Sequence, residues 1–224
     1  MKTFITIFTM MMISCSVVAQ DYKHLYQEQK ALNRVTQRAR MEKAGKDAIR
    51  EAKKYEKKGW KPMPGKLPLA RQFDKAFNTQ VELDEDGKLK YIYGVGVSTA
   101  NSTAAAQMAA AVAAREDIAS TMGVSLTTLI DDRKQQQQLS ALEASTMDEI
   151  AQKGKQIFTQ DLGKTETVIE AYRVLSNNNV EVMIGIAYST SEAAKQMGKT
   201  IKKTFEEKGL QVAAISLDEK MGWK

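Results

Sequence analysis

The chain has little of what most chemical sites are built from. Its 224 residues hold one cysteine, one histidine and three prolines. With Cys15 alone no intrachain disulfide can form, so packing must hold the fold even in a compartment that permits disulfides. Cys15 and His24 cannot between them furnish the convergent sulfur and nitrogen ligands of a zinc centre. A Ser-His-Asp triad would have to recruit His24 from a basic helical stretch far from any sheet end. No catalytic residue, metal or cofactor is assigned. Pro62, Pro64 and Pro68 all fall in one run, "WKPMPGKLPLA", which reads as a linker or an extended strap. After Ile13 no run is apolar enough for the roughly 20 residues that a bilayer-crossing helix needs.

What is present begins with a leader. Lys2, the apolar stretch Phe4 to Ile13 and the small residues Val17-Val18-Ala19 form a secretory signal-peptide pattern over residues 1–19. Two processing readings stand side by side. Cleavage after Ala19 leaves Gln20 first and predicts a periplasmic or secreted protein. A lipobox at Met12-Ile13-Ser14-Cys15 makes Cys15 the candidate lipidation site and predicts an outer-membrane lipoprotein. The residues after the leader suffice for one sizeable domain with an extension.

Charge divides the remainder. Asp21 to Lys66 holds fourteen Lys and Arg against six Asp and Glu, while the net charge of the whole chain is only +6. The basic character therefore belongs to residues 20–66, a helical extension followed by the proline-rich linker. Residues 67–209 form a mildly acidic domain, and 210–224 a carboxy-terminal tail. Asp21 to Lys58 predicts one long helix with a thin apolar stripe, ended by Gly59. Its charged faces carry Arg34, Arg38, Arg50, Lys53, Lys54, Lys57 and Lys58, candidates for contact with an anionic lipid or polymer surface. The plainer reading is a solvated face balanced by pairs such as Glu42 with Lys46. The stripe itself leaves self-association or an envelope-protein partner open. Nucleic acid is not expected to meet an exported protein.

Further along, Arg71 to Phe77 predicts a short helix, and "LDEDGKLKYIYGVGVS" predicts strand, Asp86-Gly87 turn and strand. Asn101 or Ser102 caps a helix running to Met122, and Gly123 stops it. Val124 to Ile130 then predicts a strand, and Lys134 to Gln160 a second long helix. Thr165 to Leu175 and Val180 to Ser189 alternate as a hairpin turned by Ser176-Asn177-Asn178-Asn179. Ser189 and Glu192 fit a capping box for a last helix lined by Ala194, Met197, Ile201 and Phe205 and closed by Gly209. The order predicts an α+β fold, an antiparallel or mixed sheet of about four strands with helices packed on it, preceded by the long amino-terminal helix.

One motif invites a catalytic reading. Gly94 and Gly96 precede an alanine-rich helix in "YGVGVSTANSTAAAQMAAAVAARED". A dinucleotide-binding turn needs a third glycine where Thr99 stands, and a P-loop needs a Lys and Ser/Thr that are missing. Packing explains more of the residues. Two glycines on one strand face leave bare backbone, and Ala104, Ala105, Ala109, Ala110, Ala113 and Ala114 keep the helix slim enough to lie on it. The acidic groups Asp84-Glu85-Asp86 and Asp131-Asp132 are expected in turns. A glycan-active or small-molecule enzyme built on two distant carboxylates is the rival reading.

The stretch "YGVGVSTANSTAAAQMAAAVAAREDIASTMGVSLTTLI" resembles the Lpp-twenty lipoprotein family of bacterial envelopes, to which the amino-terminal domain of the flagellar protein FlgT is also similar. Gly94, Gly96, Ala113, Ala114 and Arg115 match its recurrent positions, and the resemblance covers about residues 89 to 190. It implies a compact α/β domain at the periplasm or outer membrane with a non-enzymatic role. The expectation from sequence is therefore an exported cell-envelope protein that is structural or interacts with a partner.

Overall fold

The computed structural model describes residues 27–35, 45–136 and 140–209. The leader, Cys15, His24, Arg38, the Glu42–Lys46 pair and the tail 210–224 lie wholly or partly outside them. Residues 27–35 are helical, as is α1 (45–57). There follow β1 (Lys61–Pro62), α2 (Leu69–Val81), β2 (Tyr91–Ala100), α3 (Thr103–Gln136), α4 (Ala141–Asp161), β3 (Glu166–Val174), β4 (Val180–Ser189) and α5 (Thr190–Glu207). The strands form one antiparallel sheet in the order β1-β3-β4-β2. The fold is α+β, with helices on both sheet faces.

The central strand β4 shows why there are two helical layers. Val182, Ile184, Ile186 and Tyr188 point to one face, Met183 and Ala187 to the other, and all six are buried. Strand alternation makes both faces apolar, so both need cover. On the first face α3, α4 and α5 contribute Ile118, Met122, Leu126, Ile150, Phe158 and Met197. On the second, α1 and α2 contribute Ala48, Ala52, Leu69, Phe73 and Ala76, together with Trp60.

That second face revises the expected extension and linker. The thin stripe of residues 45–57 is buried against the domain through Ala48 and Ala52. Tyr55 meets Phe73 and Trp60 at ring-centroid distances of 5.1 and 6.0 Å. Gly59 ends the helix at φ 85°, a conformation that glycine adopts without steric cost. The proline-rich run then adds β1 to the edge of β3, pairing Lys61 with Tyr172 and Pro62 with Ala171. Its strap is clamped twice: Gln72 Nε2 donates to the Leu67 carbonyl at 2.6 Å, and Lys66 pairs with Glu170 at 2.5 Å.

The larger correction concerns α3. Val124 to Ile130 is not a strand, and Gly123 does not stop the helix, which continues to Gln136. Residues 122, 126 and 130 are Met, Leu and Ile, all buried, so helical spacing persists through the β-branched run. The hydroxyls of Thr121, Ser125, Thr127 and Thr128 each donate to the carbonyl four residues earlier, which satisfies them within the helix. The break falls later. Ser140 caps α4 in a full capping box with Glu143, so the expected helix from Lys134 to Gln160 is really the end of one helix and all but the end of another.

Smaller differences follow the same logic. The short helix expected at Arg71 to Phe77 extends over Leu69–Val81. The expected strand before Asp86-Gly87 shrinks to a single bridge between Leu83 and Leu89. The hairpin is present, with Asn178 at φ 63° in its turn, but a bulge after Thr167 breaks the expected alternation. Val168 and Ile169 consequently both join the core of the α1 face. At α5 only half of the expected box forms: Ser189 accepts from the Glu192 N–H, while the Glu192 carboxylate turns to Lys195 at 2.8 Å. Gly209 closes α5 at φ 71°.

Candidate functional site

Ile92, Gly94 and Gly96 share the β2 face that meets α3, and all are buried. A Cβ on Gly94 would lie 2.6 Å from the Ala114 carbonyl oxygen and 2.7 Å from Ile118 Cγ1. A Cβ on Gly96 would overlap the Ala110 oxygen and the Ala114 nitrogen outright and stand 2.9 Å from Ala113 Cβ. The helix backbone therefore occupies the space over both glycines, leaving no cradle for a phosphate. The alanines that make the approach are Ala110 and Ala114, fully buried, flanked by Ala113; Ala106, one turn earlier, is also buried. Ala104, Ala105 and Ala109, expected in the same seam, are exposed.

The neighbouring polar groups serve the same seam. Asp117 Oδ2 accepts from the Val95 N–H at 3.0 Å, so a carboxylate on α3 caps a donor of strand β2, which lies at the sheet edge. Arg115 reaches the other way and donates to the Leu162 carbonyl, holding the turn between α4 and β3. Tyr93 lies across the bare backbone of Gly185. Burial raises its phenol well above the usual range, helped by Tyr55 and Asp117.

The acidic groups divide. Asp84 accepts from the backbone N–H groups of Asp86 and Lys88, both at 2.9 Å, as a turn carboxylate should. Asp131 and Asp132, expected in a turn, are exposed residues of α3. Glu170, on β3, accepts from Gln107 Nε2 at 3.2 Å and pairs with Lys66, which ties α3 and the strap to the sheet. Among the described residues no group of three His, Cys, Asp or Glu is placed to hold a metal ion, and no helix is long and apolar enough to cross a membrane.

The basic helix presents its charges outward. Arg34, Arg50, Lys53, Lys54, Lys57 and Lys58 are all exposed. Arg50 pairs with Asp47, Lys54 with Glu51 at 2.8 Å, and Lys58 stands 5.9 Å from the Tyr55 ring centroid. The face is thus partly neutralised by its own helix.

No known family model matches the chain. No curated protein and no solved structure matches it either.

One concavity stands out that sequence reasoning passed over. A groove of about 340 Å³ runs between α5 and the turn at Gly163. Lys195, Lys199, Lys203 and one carboxylate, Glu192, line it, with Tyr188 and Gln196 at its floor. The Tyr188 hydroxyl donates to Gln196 Oε1 at 3.1 Å and accepts from the Gly163 N–H. Burial raises the Tyr188 pKa. The signal was in the sequence: "KQMGKTIKK" repeats lysine every four residues, which places three ammonium groups on one helix face.

Proposed function

We propose that this chain is an exported bacterial cell-envelope protein with a structural or interaction role and no catalytic one. The observation that carries the reading is the employment of its chemistry-bearing side chains. Asp84 holds a turn, Asp117 caps a sheet edge, Arg115 fixes the end of α4 and Glu170 binds strap to sheet. Each is engaged with the protein's own backbone or a neighbouring segment, the opposite of a nucleophile and base converging on open space. The leader pattern supports export, and the resemblance to envelope lipoproteins supports the same compartment.

The test is the intact mass of the protein from fractionated cells of its native host. A chain beginning at Gln20 identifies a periplasmic or secreted protein. An acylated Cys15 identifies a lipoprotein. An unprocessed chain in the cytosolic fraction overturns export. Crosslinking in the intact envelope then tests the interaction role, which predicts a discrete adduct with an envelope component or a second copy.

The outward basic face of α1 favours a second reading, contact with an anionic lipid or polymer surface. It predicts pelleting with anionic vesicles that weakens steeply with salt. Pelleting indifferent to both salt and lipid charge removes that reading.

A further inference from the structure

We infer that the groove between α5 and Gly163 is a binding site for a phosphate-bearing anion. It sits on the sheet face opposite α1, so it is independent of the basic extension. Three features of its construction point to such a ligand.

The first is the arrangement of charge. Lys195, Lys199 and Lys203 succeed one another every four residues, a spacing at which like charges repel along a helix. The two end lysines have acidic neighbours on α5: Glu192 lies 2.8 Å from Lys195, and Glu207 lies 4.0 Å from Lys203. Glu192 also lies within electrostatic reach of Lys199, and it lines the groove with the three lysines. The lining sets three ammonium groups against one carboxylate, an excess that a bound anion would balance.

The second is the floor. Tyr188 is only 5 % exposed and its hydroxyl is spoken for on both sides, donating to Gln196 and accepting from Gly163. That contact occupies the Gln196 carbonyl oxygen, so the amide end left for a ligand is the NH₂ donor. A positioned donor beside a row of ammonium groups suits an acceptor-only oxyanion.

The third is the choice of cation. All three are lysines, whose ammonium groups can bind phosphate oxygens as compact point charges. The three span about 12 Å at ~1.5 Å per residue, so a ligand with more than one phosphate would meet more than one lysine. The groove volume lies within the range of small-ligand sites.

The experiment uses the mature full chain and follows amide chemical shifts and calorimetric heat as tripolyphosphate is added at low ionic strength. Vesicles containing phosphatidylglycerol form a separate arm, to distinguish a lipid headgroup from a free phosphate. Saturable binding at one site per chain is expected, with shifts at Gly163 and Gln196. Lys199→Gln should weaken it at least tenfold. Gln196→Glu, which replaces the donor with an anion, should abolish it. Lys202→Gln is the control: it removes the same charge from a neighbouring position whose lysine already pairs with Glu206, and should change affinity less than twofold. Circular dichroism confirms that each variant is folded. A Lys199-dependent signal confined to the vesicle arm assigns a lipid headgroup as the source of the phosphate. Equal losses in Lys199→Gln and Lys202→Gln mean attraction to net charge only, and overturn the site. So does the absence of saturable binding in both arms.

Discussion

The two halves of α3 solve the same problem in opposite ways. Over β2 the helix buries Ala110 and Ala114 against Gly94 and Gly96, and the closest contacts are to helix backbone. Past the sheet it buries Met122, Leu126 and Ile130 in one cluster with Met147, Ile150 and Phe158 of α4, and the contact is large side chain on large side chain. In the first half position is fixed by what the residues lack. In the second it is fixed by what they fill. One half should therefore resist added atoms and the other removed atoms.

The largest expected effect breaks the first half. Gly96→Val places carbon where the Ala110 oxygen and Ala114 nitrogen already are, and neither is a side chain that can swing aside. The variant should lose about 3 kcal/mol or more in urea unfolding, and expression as insoluble protein would be the extreme of the same outcome. In the second half Leu126→Ala should cost about 2–5 kcal/mol, the range for a fully buried leucine that leaves a cavity.

Gly154 sharpens the contrast. Its added Cβ would stand 3.0 Å from Leu126 Cδ2, the far end of a flexible side chain, and 4.0 Å from Gly123 Cα. Gly154→Ala should change stability by less than about 1 kcal/mol, because a gain in helix propensity offsets the crowding. In the Leu126→Ala background the crowding is gone, and the same change should stabilise by about 0.5–1 kcal/mol. Equal effects in both backgrounds would show that the two residues do not meet.

An effect of similar size is expected at the α4 start. Ser140→Ala should cost about 1 kcal/mol by leaving a first-turn N–H without its acceptor. The Ser140 side chain and backbone hold the Glu143 carboxyl below its ordinary value of 4.5. A depressed folded pKa gives stability that is complete above the unfolded value and lost as pH falls through the folded one. The stability difference between the parent and Glu143→Gln should accordingly be constant above pH 4.5 and narrow on further acidification.

The same contrast explains what could be read from sequence. The hairpin and α5 were legible because one face of each keeps a single period: Val182, Ile184 and Ile186 on β4, and Ala194, Met197, Ile201 and Phe205 on α5. In α3 the buried set drifts. Ala106, Ala110, Ala114, Ile118, Met122, Leu126 and Ile130 follow one another in steps of four, so the stripe moves steadily around the helix, from the sheet toward α4. Thirty-four residues read as one element therefore show no single apolar face. With Gly123 inside the helix and β-branched residues beyond it, local preference pointed to a strand, and tertiary cover by α4 overrode it. Val168 was illegible for another reason: a bulge is set by pairing with β4, which local sequence does not display. The lysine groove needed three elements brought together, α5, Tyr188 on β4 and the Gly163 turn. Only the first was visible as a pattern.

The rims of the sheet have a consequence for assembly. One rim is β1, two residues long, and its Pro62 has no N–H to offer. At the other rim Asp117 occupies the Val95 donor near the middle of the ten-residue strand β2. Growth of the sheet from copy to copy is thus checked at both ends by ordinary side-chain chemistry. Crowded copies of this protein would touch through helices and side chains, and their contacts would stay reversible where a shared ladder of backbone hydrogen bonds would tend to lock.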